Sequence, residues 1–592
     1  MKKAFNLKFL ALSALLMLGN VVANATARDV ANGPADGTAV GATIKIGDQI
    51  GLVTYRVTGW DATNDFYTVR ITGFDADGLD ALAEARAGGK KVTLRIPVTF
   101  EEKFGENKYK YAVTLIEDGV GALDVKQSFY GLTEVDTLIF VDGTDYNGVP
   151  LDKFSYTVGA TIPGATGKSF YGCTNLKKLE FTENCSAIGI YAFQNCAIRE
   201  FVIPKKCAAI GSYAFYNCKF LRTVTVAEGN TVMHTLDNYV FGNSALTTLD
   251  LRNAAQLWTL AAQPFMYDLS IINDVLKTVY LPQNVKDINT AFKDCTALTN
   301  VYGFESTKLG EAVNVPAGSP VGTHIGATAF NGCRSLTRLD IPSCNVIGSP
   351  FTGCAALDTL TFNGDYKGKT IAQTLLADHN LYGITDVNDA NYKAADQAAL
   401  KVIAFNNDFR GTIEDNAFVG VTALDSVGFK KLTNGATIKA AFTDVTSLNK
   451  LTFAGIDTYA NNTDKDGVVE IGNDAFKNTG ITTLDFKTIN LKGDNAGAND
   501  FTIGMDAFSY CAALTDVKFG DITENNVITI QNDHSIIVQT NAFNNNPLLA
   551  KVTFGKTAFT GTGALQINAD AFATGKTYEK LFIKLIMTSL LL

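Results

Sequence analysis

Seven of the ten cysteines in this chain, Cys173, Cys196, Cys218, Cys295, Cys333, Cys354 and Cys511, stand three residues after a phenylalanine. The other three, Cys185, Cys207 and Cys344, stand just before A-I-G or V-I-G. Thiols can crosslink, ligate zinc or attack as nucleophiles, and each use asks for its own arrangement. Here the intervals follow a longer period, and His234, His324, His379 and His534 do not cluster with the cysteines, so a zinc site is not expected. Other copies of the phrase carry Val421, Val445, Thr479, Ser244 or Asn546 in place of the first cysteine, residues of similar size that cannot crosslink. That pattern fits a column of buried free thiols packing as small apolar side chains. Disulfides between neighbouring copies are within reach in distance, but parallel side-chain vectors disfavour them.

Two other fragments carry the residue types of a binding loop. Gly364-Asp365-Tyr366-Lys367-Gly368-Lys369-Thr370 is one residue short of the phosphate-binding spacing, and Gly164 to Ser169 is shorter still. A phosphate loop must run from a strand into a long helix, and neither fragment has that context. Asn462, Asp464, Asp466 and Gly467 copy the first half of a calcium loop, but its twelfth position is Asn473 where a bidentate Glu is needed. No G-x-S-x-G or H-E-x-x-H occurs. The expectation is a protein with no cofactor, no metal and no catalytic set; an enzyme would have to reside in the N-terminal segment or in an inserted loop.

The elements that position these residues repeat. Phe170, Phe193 and Phe215 lie 23 and 22 residues apart, each followed by a strand of pattern L-x-x-L-x-[LIVF]. A period in that range belongs to a leucine-rich repeat, a strand plus a turn that must stack on its neighbours to bury its apolar side. Leu176, Leu179 and Phe181 point inward while Lys178 and Glu180 point outward, which predicts one edge of stacked parallel strands with a polar outer face. The fold class expected is a repeat solenoid of parallel strands, short turns and 3-10 or helical pieces. Longer intervals near 303–324, 364–399, 455–470, 487–502 and 520–538, rich in Gly, Asn, Asp and Thr, are expected as inserted loops.

Outside the repeats, Lys2, Lys3 and Lys8 precede an apolar run from Phe9 to Leu18 and the small residues Ala23 and Ala25, the pattern of a secretory signal peptide over 1–25. Its loss takes the formal charge from −9 to −12, which argues against nucleic acid and anionic lipid as partners. Residues 26–120 carry the alternating segments Tyr67–Ile71, Val92–Pro97 and Tyr111–Ile116, expected to form a β-rich cap, with a separate small sandwich as the alternative. The solenoid is assigned to 121–583. The apolar tail 584–592 lies in a twelve-residue run too short to span a bilayer.

The phrases A-F-x-x-C, L-x-x-[LV]-x-[LIVF] and I-G-x-x-A-F, with Pro204, Pro282 and Pro342 after the strand, resemble the BspA-type leucine-rich repeat family of bacterial surface proteins. The resemblance implies a secreted or cell-surface protein that adheres to a protein or glycoprotein of host matrix or of other bacteria, and no shared catalytic residues. A structural spacer with no ligand of its own is the alternative. On the outer face Tyr280 and Tyr302 share a register in consecutive repeats, flanked by Thr225, Asp250 and Asp340, and are the expected contact residues. Cross-strand packing alone would also account for the two tyrosines.

Overall fold

A computed structural model describes residues 43–61, 66–117, 129–141, 154–159, 167–260, 274–303, 324–371, 400–458, 467–492, 500–520, 528–573 and 582–587, with breaks of one or two residues inside several of these stretches. The signal-peptide segment and the calcium-loop-like residues Asn462 to Asp466 lie outside the described residues. Two compact units divide the chain, the first running to Leu257 with Ala262–Pro282, the second comprising Trp258–Ala261 and Gln283–Leu592.

In the first unit the coils supply strands to two kinds of ladder. The leucine strands Glu200–Ile203, Thr223–Val226, Thr248–Asp250 and Thr278–Tyr280 pair in parallel, with Phe201, Val224, Leu249 and Val279 in one register. Side chains alternate along them, Phe201 and Ile203 buried while Glu200 and Val202 are exposed. The shorter strands Tyr156–Val158, Cys185–Ile188, Ala209–Ile210 and Thr235–Leu236 form the second ladder. Between the ladders lies the turn that carries Ala-Phe. Its phenylalanines Phe129, Phe170, Phe193, Phe215 and Phe241 stack at 5.1, 5.4, 5.4 and 5.9 Å, so each ring covers the next and none is left to water.

The turn also explains the Gly and Asn of the repeat. Two residues after each phenylalanine, Gly131, Gly172, Asn195, Asn217 and Asn243 take φ between 52° and 75°, a left-handed backbone that glycine and asparagine tolerate best.

The strands Phe66–Phe74, Val92–Pro97 and Asn107–Ile116 cover the three alternating N-terminal segments. Val92–Pro97 pairs in parallel with Val135–Val141, and Asn107–Ile116 with Tyr156–Val158, so each continues one ladder. The strands Thr43–Ile46 and Gln49–Asp61 and the strand Phe66–Phe74 join those two ends by antiparallel and parallel pairing, making one twelve-stranded sheet. A helix, Ala76–Ala87, which the alternation did not indicate, buries Leu82 and Ala85 and closes at Gly89 with φ 60°. Its Ala, Leu, Glu and Arg content gives it high helix propensity.

The second unit repeats this plan and adds to it. Phe418, Phe442, Phe476, Phe508, Phe543 and Phe572 stack at 4.7 to 5.3 Å. A second column from the ends of the leucine strands, Phe362, Phe405, Phe429, Phe453, Phe486, Phe519 and Phe554, stacks at 4.4 to 5.3 Å. The regions near 455–470, 487–502 and 520–538, expected as inserted loops, contain strands: Ile456–Asp457, Ile489–Leu491 and Ile528–Gln531 form a third parallel ladder with the ends of Ser426–Thr433 and Lys551–Thr560. Buried Ile456, Ile489 and Ile528 hold it. The strand Phe582–Met587 pairs in parallel with Lys551–Thr560, so pairing continues past residue 583 into the apolar tail.

Candidate partner-binding surface

The outer row of the leucine ladder in the first unit runs Val202, Thr225, Asp250, Tyr280, each directly opposite the next. Parallel pairing forces this, because residues in one register point to the same face. Val202 is 55% exposed, whereas Tyr280 is half-buried. Arg252, two residues after Asp250 and past the end of its strand, folds back over the row. Its Nε donates to Asp250 Oδ1 at 3.0 Å and its Nη2 to Oδ2 at 2.5 Å, and its guanidinium lies 4.6 Å from the centroid of the Tyr280 ring. Partial burial opposes ionisation of Asp250, but the Arg252 hydrogen bonds outweigh it and hold the carboxyl below the usual aspartate range. The same contacts hold Arg252 above its ordinary value. A planar cation fixed by a fork and laid on an aromatic face is a rigid, amphipathic contact element.

Of the residues singled out from sequence, Thr225, Asp250 and Tyr280 are thus brought into one row. Tyr302 stands on Asn300–Tyr302 in the second unit and is 47% exposed. Asp340, also in the second unit, pairs with Thr361 and accepts from Arg338 at 2.9 Å. Arg252 was not singled out; its signal is the D-L-R that follows the strand.

A second, half-buried row of the first unit went unread. Two residues before the buried phenylalanine, Tyr191, Tyr213 and Tyr239 stack at 5.1 and 4.9 Å with φ of 59°, 60° and 57°. Lys168 Nζ lies 5.1 Å from the Tyr171 ring and 5.7 Å from that of Tyr191. In the second unit left-handed backbone at this register is taken by Asn416, Asp474, Asp506, Asn541 and Asp570, the residue types that tolerate it. The recurrence Y-A-F, Y-A-F, Y-V-F at 191, 213 and 239 was the available signal.

A model of the BspA type leucine-rich repeat region matches residues 161–272, 272–392, 323–434, 391–496 and 429–584, in six copies. The chain belongs to the BspA-type leucine-rich repeat family. Among solved structures it is similar to a leucine-rich repeat protein from Bacteroides ovatus, at 18% identity over 79% of this chain and 93% of that one with a TM-score of 0.30. It is also similar to a leucine-rich cell surface protein from Faecalibacterium prausnitzii, at 17% identity over 68% and 93% with a TM-score of 0.24. The pneumococcal vaccine antigen PcpA matches at 12% identity over 90% and 99% with a TM-score of 0.27. Likenesses this distant say nothing of ligand or site. No curated protein matches the chain.

In this BspA-type chain the cysteines are structural. All ten are buried and free. Cys173, Cys196, Cys218, Cys333, Cys354 and Cys511 each donate through Sγ to the carbonyl of the phenylalanine one coil earlier, at 3.0 to 3.4 Å. Asn546 serves the same carbonyl position, its Nδ2 donating to Phe508 at 3.0 Å, which is why the column tolerates it. Burial pushes the thiols of Cys207, Cys218, Cys344 and Cys354 up to about 12, far from the range of a nucleophile. Among the described residues no group of three or more His, Cys, Asp or Glu side chains could hold a metal, and no helix is long and apolar enough to cross a membrane.

The phosphate-loop-like segment of the BspA-type chain is a turn filled by its own side chain. Tyr366 is buried, and its hydroxyl donates to the carbonyls of Ile341 and Pro342 at 3.1 and 2.7 Å. The two-residue strand Thr370–Ile371 follows it, where a phosphate loop needs a helix.

Proposed function

We propose that the chain is exported through its N-terminal segment and displayed at a bacterial surface as an adhesive scaffold that binds a protein or glycoprotein of host matrix or of another cell. The supporting observation is the clamped pair Arg252–Tyr280 on the outer row of the first unit, with Val202 exposed along the same row. Tyrosine and arginine dominate contact energetics because they carry large area on few rotamers, and the Asp250 fork fixes Arg252 before any partner arrives. Tyr302 is the second contact residue, in its own unit. The chain acts by contact and has no reaction of its own.

The test is attachment of the purified mature chain to immobilised matrix proteins, mucins and whole bacteria, compared with Tyr280→Ala, Tyr302→Ala and Arg252→Ala. Attachment lost in Tyr280→Ala and Arg252→Ala, at unchanged melting temperature, supports the reading. Attachment equal to wild type in both removes the outer row as the contact surface. No attachment to any surface favours the spacer.

A further inference from the structure

The turns of the first unit form an open groove of about 460 Å³ lined by Gly172, Asn195, Asn217, Lys219 and Phe220 among others. Its chemistry is specific. Asn217 Nδ2 donates to Asn195 Oδ1 at 2.6 Å, and Asn243 Nδ2 donates to Asn217 Oδ1 at 2.8 Å. Lys219 Nζ donates to Asn243 Oδ1. A primary amide has two N–H donors and two acceptor lone pairs, so the ladder leaves each member able to make further bonds. Phe220 is 56% exposed and presents an apolar aromatic surface beside these amides.

We infer that this turn face is a binding track for a neutral, β-linked oligosaccharide, with the asparagine ladder meeting ring hydroxyls and Phe220 the apolar face of a pyranose. Spacing selects the ligand. Stacked rings in neighbouring coils sit 4.9 to 5.9 Å apart, so the track offers the same group once per coil. A pyranose in an extended β-linked chain advances by nearly the height of one coil. An extended peptide advances about 3.3 Å per residue with alternate side chains reversed, and falls out of step. Charge points the same way. The ladder is neutral, and the one charged group named in the groove, Lys219, is bonded to it.

The tyrosines beside the track carry a backbone cost. A left-handed conformation costs an L-residue energy, less for Asn and Asp. Tyr191, Tyr213 and Tyr239 accept it at a register where the left-handed residues of the second unit are Asn416, Asp474, Asp506, Asn541 and Asp570. Strain retained at three consecutive half-buried positions is consistent with a surface kept for contact. Tyr213 meets Tyr216 edge-on at 5.4 Å, and Tyr216 immediately precedes Asn217 of the ladder.

Isothermal titration of the full mature chain with cellohexaose and chitohexaose, with polygalacturonate and a polyproline peptide as controls, tests this. At least one neutral hexamer should bind with Kd below roughly 1 mM and bind more tightly than its dimer. Phe220→Ala and Asn217→Ala should each weaken it by roughly tenfold. Phe220 is exposed, so its variant isolates the contact from folding. Tyr213→Asn should melt higher than wild type yet bind more weakly, and Asn478→Ala, at the same register of the second unit, should bind as wild type. Binding of neither neutral hexamer, binding of polygalacturonate or polyproline in preference, or an unchanged Phe220→Ala overturns the assignment. Attachment through Tyr280 is measured separately, so either reading can fail without the other.

Discussion

The Sγ of Cys218 lies 3.3 Å from the carbonyl oxygen of Phe193, one coil earlier, and donates its proton there. The hydrogen bond satisfies a carbonyl in the middle of an apolar turn, and burial raises the thiol to about 12. At pH 8 only ~1 in 10,000 such thiols is ionised. The native chain should therefore be almost inert to a disulfide reagent, and all ten thiols should react after denaturation. Rapid titration of several thiols in the native chain would contradict the buried column. Cys218→Ala should cost about 1–3 kcal/mol by leaving the Phe193 carbonyl unpaired, measured by urea unfolding.

Phe476 sits between Phe442 at 5.0 Å and Phe508 at 5.3 Å, with Phe453 edge-on at 6.4 Å. Phe476→Ala should destabilise the second unit by about 3–5 kcal/mol, and Phe476→Leu by less. Because coils couple to their nearest neighbours, hydrogen exchange should quicken in the coils flanking the substitution and stay unchanged in the first unit. Uniform quickening over both units would refute nearest-neighbour stacking.

Asp287, on the strand Asp287–Ile288, is raised to about 6 by burial. The folded chain then holds this proton more tightly than the unfolded chain, whose aspartate titrates near ~4. Stability falls as pH rises from ~4 to about 6 and the loss is complete above that, the reverse of a salt-bridged aspartate. Asp287→Asn should raise the melting temperature at pH 7 and leave it nearly unchanged at pH 4. An equal shift at both pH values would show that ionisation is not the cause.

Arg252→Lys keeps the charge and loses both the fork onto Asp250 and the flat stacking on Tyr280. Attachment should weaken nearly as far as in Arg252→Ala, and the slope of attachment against salt should stay as in wild type. Full attachment by the lysine variant would mean that charge alone carries the contact.

The stacked coils were legible because their signal recurs: a buried phenylalanine every turn, a cysteine three residues later, and a leucine strand whose alternation Glu200–Ile203 reproduces. The third ladder was not. Ile456, Ile489 and Ile528 stand in very short apolar pieces of Gly- and Asn-rich stretches, and coil-to-coil pairing makes them strands. The helix Ala76–Ala87 escaped because its flanks read as strand. At the surface, Tyr280 was visible by register, but Arg252 folds onto it from the following turn, a contact no strand pattern encodes. The tyrosines at 191, 213 and 239 were hidden by their buried neighbours, since Y-A-F reads first as core.

Within each unit the backbone bonds point from one coil to the next, Phe201 to Val224 to Leu249 to Val279 in the first. Tension applied along that direction opens the contacts rung by rung, while tension across it must shear a whole ladder at once. Such a stack lengthens in small steps when pulled one way and resists stiffly when pulled the other, so the direction of load sets how the protein yields.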